Sequence, residues 1–237
     1  MASPTKAVWF DFMGTCLDWH SSIVTALPSE LSDSHKSTFA LELRQAYFDA
    51  NTKRLAEGGP VEDFDDTQRR VLDSFLSRSE NLDIKHLFSA KVKDRLVAAW
   101  HHQKAWPDVA EALRKLKVDR KLEVYVHANG STRLQLDLVK SADLHYDMLF
   151  SSELLGVYKP APESYEAVLK LLKLKSDECV MVAAHASDLK GAKAVGMKTI
   201  YVYRWTDDIR EDQEVVRREN DAYLSDMHSL DSVIASL

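Results

Sequence analysis

The chain has 237 residues, a length that suits one compact α/β domain with a modest inserted subdomain, or two small domains. Hydrophobic residues make up 45% and charged residues 29%, which is ordinary for a globular protein. Its formal net charge of −6 argues against a nucleic-acid or anionic-membrane partner. Two cysteines are too few for a disulfide framework, and no apolar run approaches the roughly 20 residues of a membrane span, so we expect a cytoplasmic protein without a leader segment.

The chain begins with one predicted strand and then changes character. Residues 7–12 form an apolar run broken by a single acid, and Gly14 and Thr15 end it. Residues 17–105 contain few strand-like runs and are mostly helical in spacing. The longest helical stretches are predicted at residues 38–57 and 66–78, separated by the Gly-Gly-Pro segment 58–60. This block is therefore predicted to be a helical cap, inserted after the first strand.

From residue 106 onward, helices and strands alternate. The predicted helices are residues 107–117, 131–142, 162–172 and 188–195, and the predicted strands are 122–127, 148–150, 179–184 and 198–203. Such alternation indicates a parallel sheet with right-handed crossovers. The predicted fold is therefore α/β, with a Rossmann-like parallel-sheet core (residues 1–16 and 106–237) and an inserted helical cap (residues 17–105). We interpret the charged stretch 207–220 as a solvated helix or loop.

Polar side chains follow the predicted strands, where open α/β sheets bind their ligands. Asp11 and Thr15 follow the first strand, and Asn129 follows the second. Lys159 precedes a predicted helix, and Asp188 comes shortly after the strand 179–184. Because the carboxyl ends of parallel strands meet at one edge of the sheet, we expect these side chains to share a site. Thr15, with Gly14, is expected to place donors around the Asp11 carboxylate.

This set of residues is chemically coherent. A carboxylate such as Asp11 is a nucleophile when it is kept ionised and partly desolvated. Lys159 nearby would lower the pKa of Asp11, and Asn129 and Ser131 lie at a helix N-terminus, which favours negative charge. Asp188 would orient Lys159 or activate a water molecule. Each residue alone also fits an ordinary cap, turn or surface position. Their order and spacing along the chain favour a shared catalytic site.

Four segments, in order, resemble the motifs of the haloacid dehalogenase superfamily. They are residues 11–15 (DFMGT), 129–131 (NGS), 157–160 (VYKP) and 181–189 (MVAAHASDL). With the helical cap, the resemblance spans nearly the whole chain. Within the superfamily the chain is most similar to the L-2-haloacid (type II) dehalogenases. That resemblance implies a hydrolase that cleaves the carbon–halogen bond of a small 2-haloalkanoic acid through an aspartyl ester on Asp11, with no cofactor required.

Two residues separate this interpretation from the main alternative, a phosphatase acting on a small phosphate ester. Superfamily phosphatases carry a second aspartate that protonates the leaving alcohol, and Met13 stands at that position. They also carry an acid that helps to hold magnesium, and Ala184 stands there. Halide needs no proton to leave, so a dehalogenase tolerates both changes. Under the phosphatase alternative, magnesium would be held by Asp11, Asp188 and the main-chain carbonyl of Met13.

The resemblance assigns roles to further residues. Arg44, on the first long cap helix, matches the arginine that receives the halide, and a permanently charged guanidinium suits an anion. Asn129 and Ser131 match the positions that bind the substrate carboxylate. Tyr165 matches a tyrosine near the active-site lysine, and Met13 replaces an aromatic residue beside the nucleophile. We group these last four as the substrate-binding set.

The chain also departs from the family pattern. His185 replaces an asparagine and would serve as a hydrogen-bond partner or as a catalytic base near neutral pH. His127 points to the opposite side of its strand by alternation, so we exclude it. Ala128 and Ala183 replace two serines, which motivates a third interpretation, a binding or regulatory protein on an enzyme fold. The expected partner is a small organic acid, without nucleic acid or membrane, and analogy gives weak support for a homodimer.

Overall fold

The computed structural model describes residues 4–59 and 62–237, apart from the side chain of Leu55. The chain divides into two compact units. The core unit comprises Met1–Asp18 and Ala105–Leu237, and the helical unit comprises Trp19–Lys104. The divisions fall after Asp18 and before Ala105, where the sequence predicted them after residue 16 and before residue 106. In the part of the chain that the structure describes, membrane-spanning length and apolarity do not occur together in any helix.

The core unit is built on a parallel sheet of six strands, which confirms the predicted fold class. Their order in the sheet is β5-β4-β1-β6-β7-β8. These strands are β1 (Ala7–Phe10), β4 (Glu123–Ala128), β5 (Met148–Ser151), β6 (Cys179–Ala183), β7 (Lys198–Val202) and β8 (Ala222–Leu224). All residues of β1 and β6 are buried, as expected for central strands of a parallel sheet covered on both faces. Two further strands, β2 (Leu17–Asp18) and β3 (Lys104–Ala105), lie where the chain passes between the units.

Helices connect the strands of the core unit, and three of them begin with a side-chain cap. They are α5 (Val109–Arg114), α6 (Thr132–Ala142), α7 (Ser152–Leu155), α8 (Pro162–Leu172), α9 (Ala186–Ala194), α10 (Gln213–Glu219) and α11 (Leu230–Ser236). Ser131 caps α6 by accepting a hydrogen bond from the amide of Leu134. Pro162 stands in the first turn of α8, where its missing N–H costs nothing. Helix α5 continues into a π-helical turn, Lys115–Asp119.

The helical unit contains four α-helices within its described residues: α1 (Trp19–Ala26), α2 (Asp33–Ala56), α3 (Phe64–Phe75) and α4 (Ala90–Ala99). Helix α3 is amphipathic, since its buried residues recur at helical spacing from Phe64 to Phe75. The predicted helix 38–57 begins earlier, at Asp33, and the predicted helix 66–78 ends at Phe75. Gly58 and Gly59 follow α2 as predicted, whereas Pro60 lies outside the described residues.

One prediction about the C-terminal part of the core unit holds for only part of its stretch. The stretch 207–220 was expected to be solvated, but only its later part is, in and before α10. Asp207 is buried, with 3% of its surface exposed. The cause is the loop after β7, which turns back over the end of the sheet. After α10 the chain adds β8, a short parallel edge strand that the sequence analysis did not identify.

Candidate active site

The sheet register brings the candidate residues to one edge. Phe10 at the end of β1 pairs with Val126 of β4 on one side and with Val182 of β6 on the other. Asp11 comes next, and its amide donates to the carbonyl of Val182 at 3.0 Å. The segments that leave β1, β4 and β6 therefore emerge around the Asp11 carboxylate, which is itself buried. This is the edge where parallel α/β sheets place ligands.

One oxygen of Asp11 faces a lysine shared with a second carboxylate. The Nζ of Lys159 lies 2.9 Å from Oδ1 of Asp11 and 2.6 Å from Oδ2 of Asp188. Asn129 fixes the main chain at this point, since its Nδ2 donates to the carbonyl of Lys159 at 2.9 Å and its Oδ1 accepts from the amide of Lys159 at 2.8 Å. The loop after β4 thus holds the lysine that joins the loops after β1 and β6.

The other oxygen of Asp11 accepts from a hydroxyl and an imidazole. Thr15 Oγ1 donates to Oδ2 of Asp11 at 2.7 Å, and Nδ1 of His185 lies 3.0 Å from the same oxygen. The Thr15 hydroxyl also accepts from the amide of Ala184 at 2.8 Å, which ties the first loop to the end of β6. The expected donor from Gly14 is not found there, because the Gly14 amide donates to the carbonyl of Leu17.

Burial and charge push the pKa values of the two carboxyl groups in opposite directions. Burial alone would raise the pKa of Asp11, but Lys159 and His185 outweigh it and hold this pKa well below its usual range. Burial alone would lower the pKa of Lys159, but the two carboxylates outweigh it and raise the pKa. Burial, with the charge of Asp11, raises the pKa of Asp188 in spite of Lys159. Asp11 is therefore suited to nucleophilic attack and Asp188 to accepting a proton.

His185 lies between two carboxylates, and the second was not predicted. Its Nε2 is 3.1 Å from Oδ1 of Asp207, opposite the nitrogen that faces Asp11. Burial alone would lower the pKa of His185, but Asp11 and Asp207 outweigh it and raise the pKa well above its usual value. Carboxylate oxygens accept and do not donate, so the two contacts suit an imidazole that carries a proton on each nitrogen. In the sequence, Asp207 carries no sign of this position, because it opens a charged stretch typical of surface helices.

Most of the remaining candidate residues of the core unit form hydrogen bonds within the protein. The Ser131 hydroxyl caps α6. Tyr165 is completely buried, and its hydroxyl donates to the main-chain carbonyl of Asp188 at 2.7 Å. Met13 is partly exposed, two residues after Asp11. The substrate-binding roles of these residues stay predictions. His127, which we excluded, is buried beneath Tyr165 and bonds to Ser164 at 2.8 Å.

Arg44 belongs to the helical unit and lies on α2, where it is buried. Its guanidinium carbon lies 4.5 to 5.8 Å from the centroids of four aromatic rings. These rings are Trp19, Tyr47, Phe48 and Trp100. Cation–π attraction of this kind stabilises a weakly hydrated guanidinium away from bulk water. The halide-binding role of Arg44 stays a prediction.

Comparison with known proteins identifies the family of the chain. A model of the haloacid dehalogenase-like hydrolase family matches residues 5–196. The chain belongs to this family. The hydrolase is 27% identical over 206 residues to (S)-2-haloacid dehalogenase 4A of Burkholderia cepacia, covering 86% of this chain and 85% of that protein.

Two solved structures extend the similarity to the whole fold. An L-2-haloacid dehalogenase superposes with a TM-score of 0.81 at 28% identity, covering 98% of this chain and 100% of that one. A defluorinating L-2-haloacid dehalogenase superposes with a TM-score of 0.80 at 27% identity, covering 98% and 95%. The fold of this hydrolase is therefore shared with each of the two dehalogenases over nearly the whole length of the chains.

A magnesium ion does not fit the acidic side chains of this hydrolase. Ligand atoms of Asp11, His185 and Asp188 all lie within 4.8 Å of one another. However, the protonated Lys159 already bridges the two carboxylates, and both oxygens of Asp11 accept hydrogen bonds from side chains. Magnesium prefers a set of oxygen ligands, whereas this set contains an ammonium and an imidazolium.

Proposed function

We propose that this hydrolase releases halide from a small 2-haloalkanoic acid, with Asp11 as the nucleophile. The observation that carries the proposal is a buried, ionised carboxylate held by Lys159, Thr15 and His185, followed two residues later by Met13. Methionine has no proton to give to a leaving alcohol, and a halide needs none. The similarity to 2-haloacid dehalogenases over most of the chain supports the same chemistry.

The first step is displacement at the carbon that bears the halogen. An oxygen of Asp11 attacks this carbon, the new carbon–oxygen bond forms, and the halide leaves with the electron pair of the broken bond. We assign the halide to Arg44, whose guanidinium is permanently charged and lies among aromatic rings. Met13 and Ser131 are the proposed substrate contacts, and Asn129 and Tyr165 contribute by holding the Lys159 main chain and the start of α9.

The second step is hydrolysis of the aspartyl ester. A water molecule attacks the ester carbonyl of Asp11, and a base takes its proton. Asp188, with its raised pKa, and His185 are the basic groups at this position. Lys159 and Thr15 face the two carboxyl oxygens of Asp11 and stabilise the negative charge that develops there. The product is a 2-hydroxy acid, and water is the only co-substrate that the chemistry needs.

The test is halide release from each enantiomer of 2-chloropropionate, measured with a metal chelator present. We expect release that persists in chelator and that Asp11→Asn lowers by at least about 10⁴-fold, as removal of a catalytic nucleophile does. Circular dichroism and thermal unfolding of the variant serve as controls for folding. A fully active Asp11→Asn variant, or magnesium-dependent cleavage of an aryl phosphate in place of halide release, would overturn the proposal.

A further inference from the structure

A line of three side chains crosses the site, and the proposed function uses only part of it. Nδ1 of His185 lies 3.0 Å from Oδ2 of Asp11, and Nε2 lies 3.1 Å from Oδ1 of Asp207. The imidazole therefore has the reacting carboxylate on one side and a second carboxylate on the other. The same arrangement orients histidine bases in hydrolases with a catalytic triad.

Asp207 is held firmly in this position. Its Oδ2 accepts from the hydroxyl of Thr206 at 2.7 Å. Its carboxylate packs against Gly14, where an added Cβ would lie only 2.4 Å from Oδ1 of Asp207. Gly14 also has a φ of 90°, which side chains rarely adopt. The loop after β1 thus leaves room for the Asp207 carboxylate beside the nucleophile.

The loop that carries Asp207 is anchored on both sides. Before it, Arg204 donates to the carbonyl of Thr15 at 3.1 Å and pairs with the buried Asp108 through two contacts of 3.0 Å. After it, Asp208 accepts from the amide of Ala186, the first residue of α9, at 2.6 Å. The carboxylate at Nε2 of the imidazole is therefore part of a rigid frame and not a mobile surface group.

We propose that Asp207 is a positioning residue that orients His185 as the base for hydrolysis of the ester on Asp11. The inference rests on the proposed function and concerns its second step, hydrolysis of the ester. While Asp11 is a carboxylate, both imidazole nitrogens donate to carboxylates. Once Asp11 is an ester, its negative charge is gone and only Asp207 holds the ring. Asp207 then keeps the proton on Nε2, which leaves Nδ1 as the basic nitrogen facing the ester.

The proton balance closes over one cycle. After halide leaves, the Nδ1 proton of His185 passes to solvent. Nδ1 then takes a proton from water as the water oxygen bonds to the ester carbonyl carbon of Asp11. Collapse of the adduct breaks the bond to the substrate oxygen, which takes the proton of the new carboxyl group. Asp11 is again a carboxylate and His185 an imidazolium, so one water yields one halide, one 2-hydroxy acid and one proton.

Ester formation and ester hydrolysis depend on different contacts, so a variant can slow one step more than the other. Lys159 and Thr15 each bond directly to Asp11, whereas Asp207 bonds to His185, so two of the groups that hold the Asp11 nucleophile keep their contacts when Asp207 is replaced. Loss of Asp207 should therefore slow ester hydrolysis more than ester formation. In a two-step reaction, slowing only the second step lowers kcat and KM together and leaves kcat/KM unchanged.

The experiment compares Asp207→Asn with Asp143→Asn, which makes the same charge change at a side chain that is 95% exposed. With 2-chloropropionate, we expect Asp207→Asn to release a burst of about one halide per enzyme and then turn over on the order of 10²-fold more slowly. KM should fall in parallel, and mass spectrometry should find the ester on Asp11. Asp143→Asn should show neither effect.

Two further variants control for poor folding of Asp207→Asn and test whether Asp207 acts through His185. Asp207→Ala should also accumulate the ester, which keeps the test open if Asp207→Asn folds poorly. In the double variant His185→Gln, Asp207→Asn, kcat should lie within about two-fold of His185→Gln alone, because the two residues act as one unit. Equal losses in burst and steady state, a fall in kcat/KM, or additive losses would overturn the role of Asp207. A wild-type enzyme without halide release or ester would instead overturn the proposed function.

Discussion

Two buried cations, one in each unit, are stabilised in different ways. In the core unit, the Lys159 ammonium lies between two carboxylates, at 2.9 Å from Asp11 and 2.6 Å from Asp188. In the helical unit, the Arg44 guanidinium lies among four aromatic rings, at 4.5 Å from the nearest centroid, that of Phe48. The lysine compensates anions of the protein, which suits it to hold a nucleophile. The arginine keeps its charge beside weakly polar rings, which suits it to an incoming anion.

The largest effect is expected from removing the first of these cations. Lys159→Met keeps a long side chain but leaves two buried carboxyl groups without an ammonium. We expect halide release to fall by more than about 10³-fold, because the pKa of Asp11 rises and its ester adduct loses a stabilising charge. Unfolding should become easier by about 3–5 kcal/mol, as when one partner of a buried ion pair is removed.

Both quantities are measured on the same preparations, by halide release and by urea unfolding. The matched control is Lys190→Met, on the exposed side of α9, where we expect little change in either. A Lys159→Met enzyme that keeps most of its activity would show that the shared ammonium is not what holds Asp11 ready to attack.

A smaller effect is expected at Arg44, where the charge is kept and its shape is changed. Arg44→Lys replaces a planar guanidinium that packs against rings by a compact, strongly hydrated ammonium. We expect kcat/KM for 2-chloropropionate to fall by about 10- to 100-fold, since an interaction with the departing halide is weakened. Halide release in a single turnover should slow in proportion, because the first step is the one affected.

The control for this change is Arg70→Lys, an arginine on α3 of the same unit that pairs with Glu62 at the surface. Exposed pairs of this kind contribute little, so its kcat/KM should stay within about two-fold of wild type. Equal rates for Arg44→Lys and wild type would remove the distinction between the two buried cations.

The smallest effect is expected at Asp208 of the core unit, whose carboxylate accepts a hydrogen bond from the main-chain amide of Ala186. Burial raises the pKa of Asp208 to about 6, which His185 and the amide of Ala186 only partly offset. Because this pKa is higher in the folded chain than in the unfolded chain, Asp208 makes the fold less stable as pH rises from about 4 to about 6. Asp208→Asn should remove this loss.

Urea unfolding at several pH values checks the prediction. Relative to wild type, Asp208→Asn should gain up to about 2 kcal/mol above pH 6 and little near pH 4. Asp143→Asn, at a position whose side chain is 95% exposed, is the control and should change the free energy of unfolding little, because exposed charges contribute little to stability. A flat difference for Asp208→Asn as well would mean that burial does not govern this carboxylate.

Much of the fold was predictable because it follows from local patterns. Apolar runs and helical spacing predicted β1, β4, β6 and β7 and the helices between them to within a few residues. Short elements were missed, such as β8 with three residues, because so few residues show no period. The helix predicted from residue 107 begins at Val109 and changes to a π-helical turn at Lys115, a distinction that hydrophobic spacing does not encode.

For the candidate site, the sequence by itself determined which residues leave the strand ends. Since parallel strands end at one edge, Asp11, Lys159 and Asp188 were expected together, and the structure places them in direct contact. That argument reaches only residues next to a strand or within a motif. The orientation of each side chain was beyond it: Tyr165 was expected at the substrate, and its ring is fully buried.

Only the tertiary structure decided that Asp207 belongs beside His185. Asp207 opens a charged stretch, and charge along a chain by itself predicts exposure to solvent. Its burial depends on a glycine in the loop after β1 and on Arg204, which ties the loop after β7 to the carbonyl of Thr15. These contacts join segments far apart in the chain through packing and hydrogen bonds, which no local periodicity records. Sequence pattern thus predicted the proposed nucleophile and its lysine, and long-range packing decided the environment of the histidine.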